Sequence, residues 1–176
     1  MRIPKIYLET SVLNFVFDDD SSDKKADTIK LFKEIKEGKY IPHISDYVKK
    51  EIDNTPDPDK RRKLNKIVKE YGAKVLPRTE ETEQLADEYL KEGIIPEKYR
   101  TDALHIATAT VYDLDMVISW NFKHIVKRKT IVNTGAINQR NGYKKVEIYS
   151  PSEVIEDVCT ESDARKNIQG DAGHVT

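Results

Sequence analysis

The sequence predicts a three-layer α/β/α domain around a mostly parallel sheet of about five strands. Three observations carry that reading. Short apolar segments at 5–9, 39–44, 73–76, 115–119 and 146–149 alternate with helical patterns, the arrangement of an α/β domain. The first segment, Lys5-Ile6-Tyr7-Leu8-Glu9, has apolar residues on both faces, as in a sheet covered on two sides. Residues 101–112 carry no charge between Asp102 and Asp113, the pattern of a central helix buried nearly all round.

The elements follow in order. A polar break at 18–23 precedes a helix carrying Ala26, Ile29, Phe32 and Ile35 at helical spacing and ending at Gly38. After the second strand, Ser45 or Asp46 caps a short helix through Ile52, broken by Thr55-Pro56-Asp57-Pro58. A charged helix with Leu64, Ile67, Val68 and Tyr71 on its apolar stripe runs to Gly72. Thr79 opens another, with Glu81, Thr82 and Glu83 in its first turn and Gly93 after it. An irregular helix separates the fourth and fifth strands, and Ser152 begins a last short one. One domain over 1–159 is expected, with a flexible tail at 160–176 where the composition turns polar.

The chain has 176 residues, 30 Lys+Arg against 31 Asp+Glu, and one cysteine. The lone Cys159 excludes an intramolecular disulfide framework and a cysteine-based zinc site, and it suits a reducing, cytoplasmic setting. No apolar run exceeds three residues, so no transmembrane helix and no membrane partner are expected. Met1-Arg2-Ile3-Pro4 leads straight into the first strand, leaving no room for a targeting peptide.

Three carboxylates stand where the pattern asks for apolar or small residues. Glu9 ends the first strand, Glu51 shares a helical face with Tyr47, Val48 and Ile52, and Asp102 opens the uncharged helix. Singly, each has an ordinary reading: a turn cap, a boundary residue reaching water, a helix N-terminal acid. Parallel sheets place ligands beyond the carboxyl ends of their strands. Three acids converging there would repel unless a hard cation such as Mg²⁺ or Mn²⁺ bound them.

Ile6-Tyr7-Leu8-Glu9-Thr10-Ser11-Val12, Ile44 to Ile52 with Glu51, Asp102-Ala103-Leu104-His105-Ile106-Ala107 and Ile118-Ser119-Trp120-Asn121-Phe122-Lys123-His124 resemble PIN-domain proteins in order and spacing. The resemblance covers about residues 3–157, including Tyr149-Ser150-Pro151-Ser152-Glu153. It implies a metal-dependent endoribonuclease preferring single strands, of which the VapC-like toxins of toxin–antitoxin pairs are the commonest bacterial kind. It further implies an antitoxin partner and a homodimer. Two positions depart from the pattern: Glu9 stands where the family usually has Asp, and neutral Asn121 falls on or near its fourth acidic position.

For such an enzyme, Glu9, Glu51, Asp102 and Asn121 are the expected catalytic residues, with Glu9, Asp102 and Glu51 as ligands for Mg²⁺ or Mn²⁺. Thr10, Ser11 and Ser119 would hold waters or phosphate oxygens, and Lys123, His124, Lys127 and Arg128 would meet RNA. His105 and His43 read as structural. His124 has two readings, phosphate contact or helix cap, and Trp120 either stacks a base or packs on the sheet. A non-catalytic RNA- or protein-binding module on the same fold is the alternative, favoured by Glu9 and Asn121. A small-molecule phosphatase comes last, because no Gly-rich phosphate loop follows any strand.

The near-zero charge conceals an asymmetry. Residues 116–146 hold seven basic residues and no acid, while the remainder holds 23 basic against 31 acidic. A basic flank beside an acidic site is compatible with a nucleic-acid partner. The shorter Lys60-Arg61-Arg62-Lys63 cluster reads as a solvated helix face.

Overall fold

The computed structural model describes residues 2–19 and 22–156. The anticipated tail at 160–176, and Cys159 with it, lies outside the described residues.

Five strands form one parallel sheet: β1 (Lys5–Leu8), β2 (Ile41–Ser45), β3 (Lys74–Leu76), β4 (Met116–Ile118) and β5 (Glu147–Tyr149). Their order is β3-β2-β1-β4-β5, so the chain reverses direction across the sheet at β1. Tyr7 is in register with His43 on one side and Val117 on the other. As the middle strand, β1 is covered on both faces, and Ile6, Tyr7 and Leu8 are all at most 1% exposed. Each such side chain contributes about 1.5–3 kcal/mol of burial.

Helices α1 (Thr10–Phe15), α2 (Ser22–Lys36), α3 (Asp46–Asp53) and α4 (Pro58–Glu70) connect β1 to β2 and β2 to β3. Right-handed crossovers put them on one face. The return path through α5 (Glu80–Lys91), α6 (Arg100–Val111) and α7 (Arg128–Arg140) covers the other face. The last helix, α8 (Pro151–Val154), packs on α2. The result is the three-layer α/β/α fold expected from the sequence.

Local chemistry sets most boundaries. Ser45 caps α3 by accepting from the Val48 N–H at 3.3 Å, and Thr79 caps α5 by accepting from the Thr82 N–H. Ser150 forms a capping box with Glu153, so that α8 starts at Pro151, one residue before the start expected at Ser152. Helix α6 is buried from Ala103 through Thr110, and the hydroxyls of Thr108 and Thr110 donate back to the carbonyls of Leu104 and Ile106. One short helix lies where the sequence suggested none. Residues 10–15 begin α1 directly at the end of β1 because the Glu9 side chain accepts from the Ser11 N–H, at 3.2 Å. No helix among the described residues is long and apolar enough to cross a membrane.

Candidate metal centre

The carboxyl ends of the parallel strands deliver the polar residues to one place. Glu9 follows β1, Ser45 ends β2 and Ser119 follows β4. β1 and β4 continue pairing through the site, with the Glu9 N–H donating to the Ile118 carbonyl at 3.1 Å. The reversal of strand order at β1 opens the crevice in which Glu9 sits.

Glu9 is 5% exposed, an expensive place for an anion unless hydrogen bonds replace water. Its Oε1 accepts from the Ser11 N–H, and its Oε2 accepts from Ser11 Oγ at 2.5 Å and Ser119 Oγ at 2.7 Å. These donors are all neutral. Among the described residues no Lys, Arg or His forms an ion pair with Glu9, so its charge is solvated chiefly by protein dipoles.

Glu51 projects from α3. Its Oε1 accepts from Thr10 Oγ1 at 2.9 Å and from His105 Nε2 at 2.7 Å. His105 is completely buried on α6, and its Nδ1 is 2.6 Å from the Tyr7 hydroxyl, which is itself 2.7 Å from Ser45 Oγ. A continuous chain of hydrogen bonds therefore runs from the α3 cap through the central strand to the Glu51 carboxylate. Burial works against a charged imidazole, but the Glu51 hydrogen bond and the negative charges of Glu9, Glu51 and Asp102 outweigh it and raise the His105 pKa. Burial likewise opposes ionisation of Glu51, and the bonds from His105 and Thr10 prevail and lower its pKa. The charges of all three acids thus bear on one buried imidazole.

Ligand atoms of Glu9, Glu51 and His105 lie within 4.8 Å of one another. The two carboxylates suit a hard divalent cation. His105 suits it less, since both ring nitrogens are already committed, to Glu51 and to Tyr7. Asp102, placed in the ligand set by the sequence, is held differently. Its Oδ2 accepts from His124 Nδ1 at 3.0 Å, and the His124 ring packs on Tyr99 with centroids 4.0 Å apart. The structural reading of His105 agrees with its place here, a buried imidazole bonded to the Glu51 carboxylate, whereas Tyr7 carries no signal in the sequence beyond that of a buried strand residue.

The remaining expected residues surround this group. Thr10, Ser11 and Ser119 spend their hydroxyls on Glu51 and Glu9. Ser11 Oγ also accepts from the Trp120 N–H, and Ser119 Oγ from the Asn121 N–H, both at 2.9 Å. Asn121 Oδ1 accepts from the His124 N–H, closing the turn that carries Phe122 and Lys123. His124 thus contacts Asp102, an arrangement neither sequence reading contained. Trp120 packs in the core and donates from Nε1 to Thr28 Oγ1, the second of its two readings.

The basic stretch divides in two. Arg140 pairs with Glu88 and Glu92, Lys144 with Asp113 and Asp115, and Lys145 with Glu147. Among the described residues, Lys123, Lys127 and Arg128 pair with no carboxylate and are exposed. Lys123, His124 and Lys127 line a cleft of about 340 Å³ against Ile95 and Pro96. The uncompensated positive charge is therefore concentrated at the end of the stretch next to Asp102.

No family model matches the sequence, and no curated protein matches it either. A solved structure does. The chain shares its fold with one chain of a VapBC2 structure. One chain in the crystal structure of VapBC2 from Rickettsia felis, bound to a DNA fragment from their promoter, superposes with a TM-score of 0.52. The match covers 83% of this chain and 98% of that one at 13% identity. At that identity the likeness is one of fold, and the chemistry rests on the residues described above.

Proposed function

We propose that this protein is a metal-dependent endoribonuclease. The observation that carries the reading is the meeting of Glu9 and Glu51 beside His105 at the carboxyl edge of the sheet, with ligand atoms of all three within 4.8 Å of one another. Glu9 and Glu51 would hold Mg²⁺ or Mn²⁺, with Asp102 completing the set once His124 shares its carboxylate. The ion, when bound, supplies an activated water and charge neutralisation on the phosphodiester.

The protein's own groups do the rest. Ser11 and Ser119 fix the Glu9 carboxylate so that it cannot swing toward solvent. His105 and Thr10 fix Oε1 of Glu51 and leave its other oxygen to the ion. Asn121 shapes the turn that presents Lys123, and Lys123, Lys127 and Arg128 bind the phosphates flanking the scissile bond. His124, anchored by Asp102 through Nδ1, turns the rest of its ring to the same basic cleft.

The resemblance to VapC-like toxins and the fold shared with one chain of the VapBC2 structure support a toxin role with an antitoxin as protein partner and self-association as a homodimer, in the cytoplasm. The test is cleavage of unstructured RNA in Mg²⁺, Mn²⁺ or EDTA, comparing the wild type with Asp102→Asn. Activity should require metal and fall by orders of magnitude in the variant. Cleavage that persists in EDTA or in the variant would refute the proposal. A non-catalytic RNA-binding module is the second reading, favoured by the hydrogen bond that ties Asp102 to His124. It requires RNA binding without cleavage and no thermal stabilisation by either metal.

A further inference from the structure

Near the site, three aromatic rings surround one ammonium group. Lys24 Nζ lies 5.3 Å from the Phe15 ring centroid, 5.5 Å from Trp120 and 5.4 Å from Phe122. Trp120 contacts both other rings, with centroids 5.7 Å from Phe15 and 6.1 Å from Phe122. Trp120 is buried and pinned, whereas Phe122 is 48% exposed, one of the few large apolar side chains presented to solvent. Its backbone is held by a tight turn, the Phe122 N–H donating to the Trp120 carbonyl at 3.0 Å.

The cluster is tied directly to the metal centre. Ser11 Oγ accepts from the Trp120 N–H and donates to Glu9, and Phe15 lies on the same short helix as Ser11. A rigid, exposed ring beside a cation and next to a phosphodiester site matches the chemistry of single-strand recognition. An unpaired base stacks on the ring while a basic side chain follows the backbone. A duplex offers no free base face, so such a shelf discriminates against it.

Resting on the nuclease reading, we propose that Phe122 is a stacking platform for one unpaired nucleobase of the RNA, backed by Trp120, with Lys24 turning from the rings to the adjoining phosphate. A purely apolar protein partner would gain nothing from Lys24 at the centre of the cluster, and Lys123 and Lys127 on the same loop, with Arg128 at the start of α7, favour a polyanion.

Trp120 is the chain's only tryptophan, so its fluorescence reports on this cluster alone. The experiment titrates the full-length protein in EDTA, where metal-dependent hydrolysis is suppressed, with a short oligoadenylate, its abasic counterpart and the corresponding RNA duplex. The oligoadenylate should change Trp120 emission and bind at least about tenfold more tightly than the abasic strand. Phe122→Ala should remove most of that advantage and Phe122→Tyr should restore it. Because Phe122 is half exposed, the alanine variant keeps the fold, which its thermal transition verifies. Lys24→Gln should lower the salt slope of binding by about one.

Equal binding of the two single strands, or unchanged binding by Phe122→Ala, would overturn the shelf. So would a Phe122→Ala variant that keeps RNA affinity but loses a protein partner. Cleavage assays separate the two ideas. RNA hydrolysis unaffected by Phe122→Ala defeats the shelf and leaves the nuclease standing, while base-dependent binding without hydrolysis in any metal does the opposite.

Discussion

His105 Nε2 lies 2.7 Å from Glu51 Oε1, joining a completely buried residue of α6 to a half-buried acid of α3. Because Nδ1 of the same ring meets Tyr7, the imidazole ties the central strand to helices on both faces of the sheet. His105→Ala should therefore cost about 3–5 kcal/mol, combining the lost packing with a carboxylate deprived of its partner. Urea unfolding of the metal-free protein measures this. A loss below about 1 kcal/mol would mean the bond chain does not hold the site.

Glu9 and Glu51 should respond unequally to neutralisation. Three donors converge on Glu9, so the amide NH₂ of Glu9→Gln would face another donor, at a cost of about 1–3 kcal/mol without metal. Glu51 accepts both of its bonds at Oε1, and Glu51→Gln can place its NH₂ at the other oxygen. Its metal-free stability should change by less than about 1 kcal/mol. Metal stabilisation, about 2.7 kcal/mol at a hundredfold excess over Kd, should disappear in both. Thermal melts in EDTA and in Mn²⁺ give all four values.

Acid sensitivity should come partly from a group far from the site. Asp115 is partly buried, which disfavours its charge, but Arg2, the Lys5 N–H and Lys144 overcome this and lower its pKa to about 2. A carboxylate depressed in the folded state stabilises fully above its unfolded pKa, about 4. That contribution fades as pH falls from about 4 toward 2. Asp115→Asn should flatten the stability profile in that window and lower stability at neutral pH. Parallel profiles for the two proteins would contradict the assignment.

Charge removal should distinguish the two ends of the basic stretch. Lys127→Ala and Arg128→Ala should each lower the salt slope of RNA binding by about one, as expected for phosphate contacts. Arg140→Ala should leave it nearly unchanged, because Arg140 is already engaged with Glu88 and Glu92. Binding isotherms across a range of salt concentrations make the comparison, and equal slopes for Lys127→Ala and Arg140→Ala would remove the cleft from the RNA path.

The strands and most helices were legible in the sequence because each rests on local rules. Ile6, Tyr7 and Leu8 report a strand buried on both faces, Thr79 reports a cap, and the uncharged run after Asp102 reports a buried helix. Helix α1 was not legible: its start depends on a long side chain, Glu9, folding back to the Ser11 N–H in place of the usual short cap.

By itself the sequence determined the α/β architecture and three acids placed at element ends; the strand order that puts β1 at the switch point came only from the structure. Periodicity and end signals act over a few residues, and they are written in the chain. Only the tertiary structure decided which groups meet. Glu51 and His105 are 54 positions apart, as Asp102 and His124 are 22 apart. The same holds for the basic stretch, a uniform run in sequence whose distal half is cancelled by acids of α5 and the strand ends. Charges cancel by distance in space, and spatial distance is set by packing.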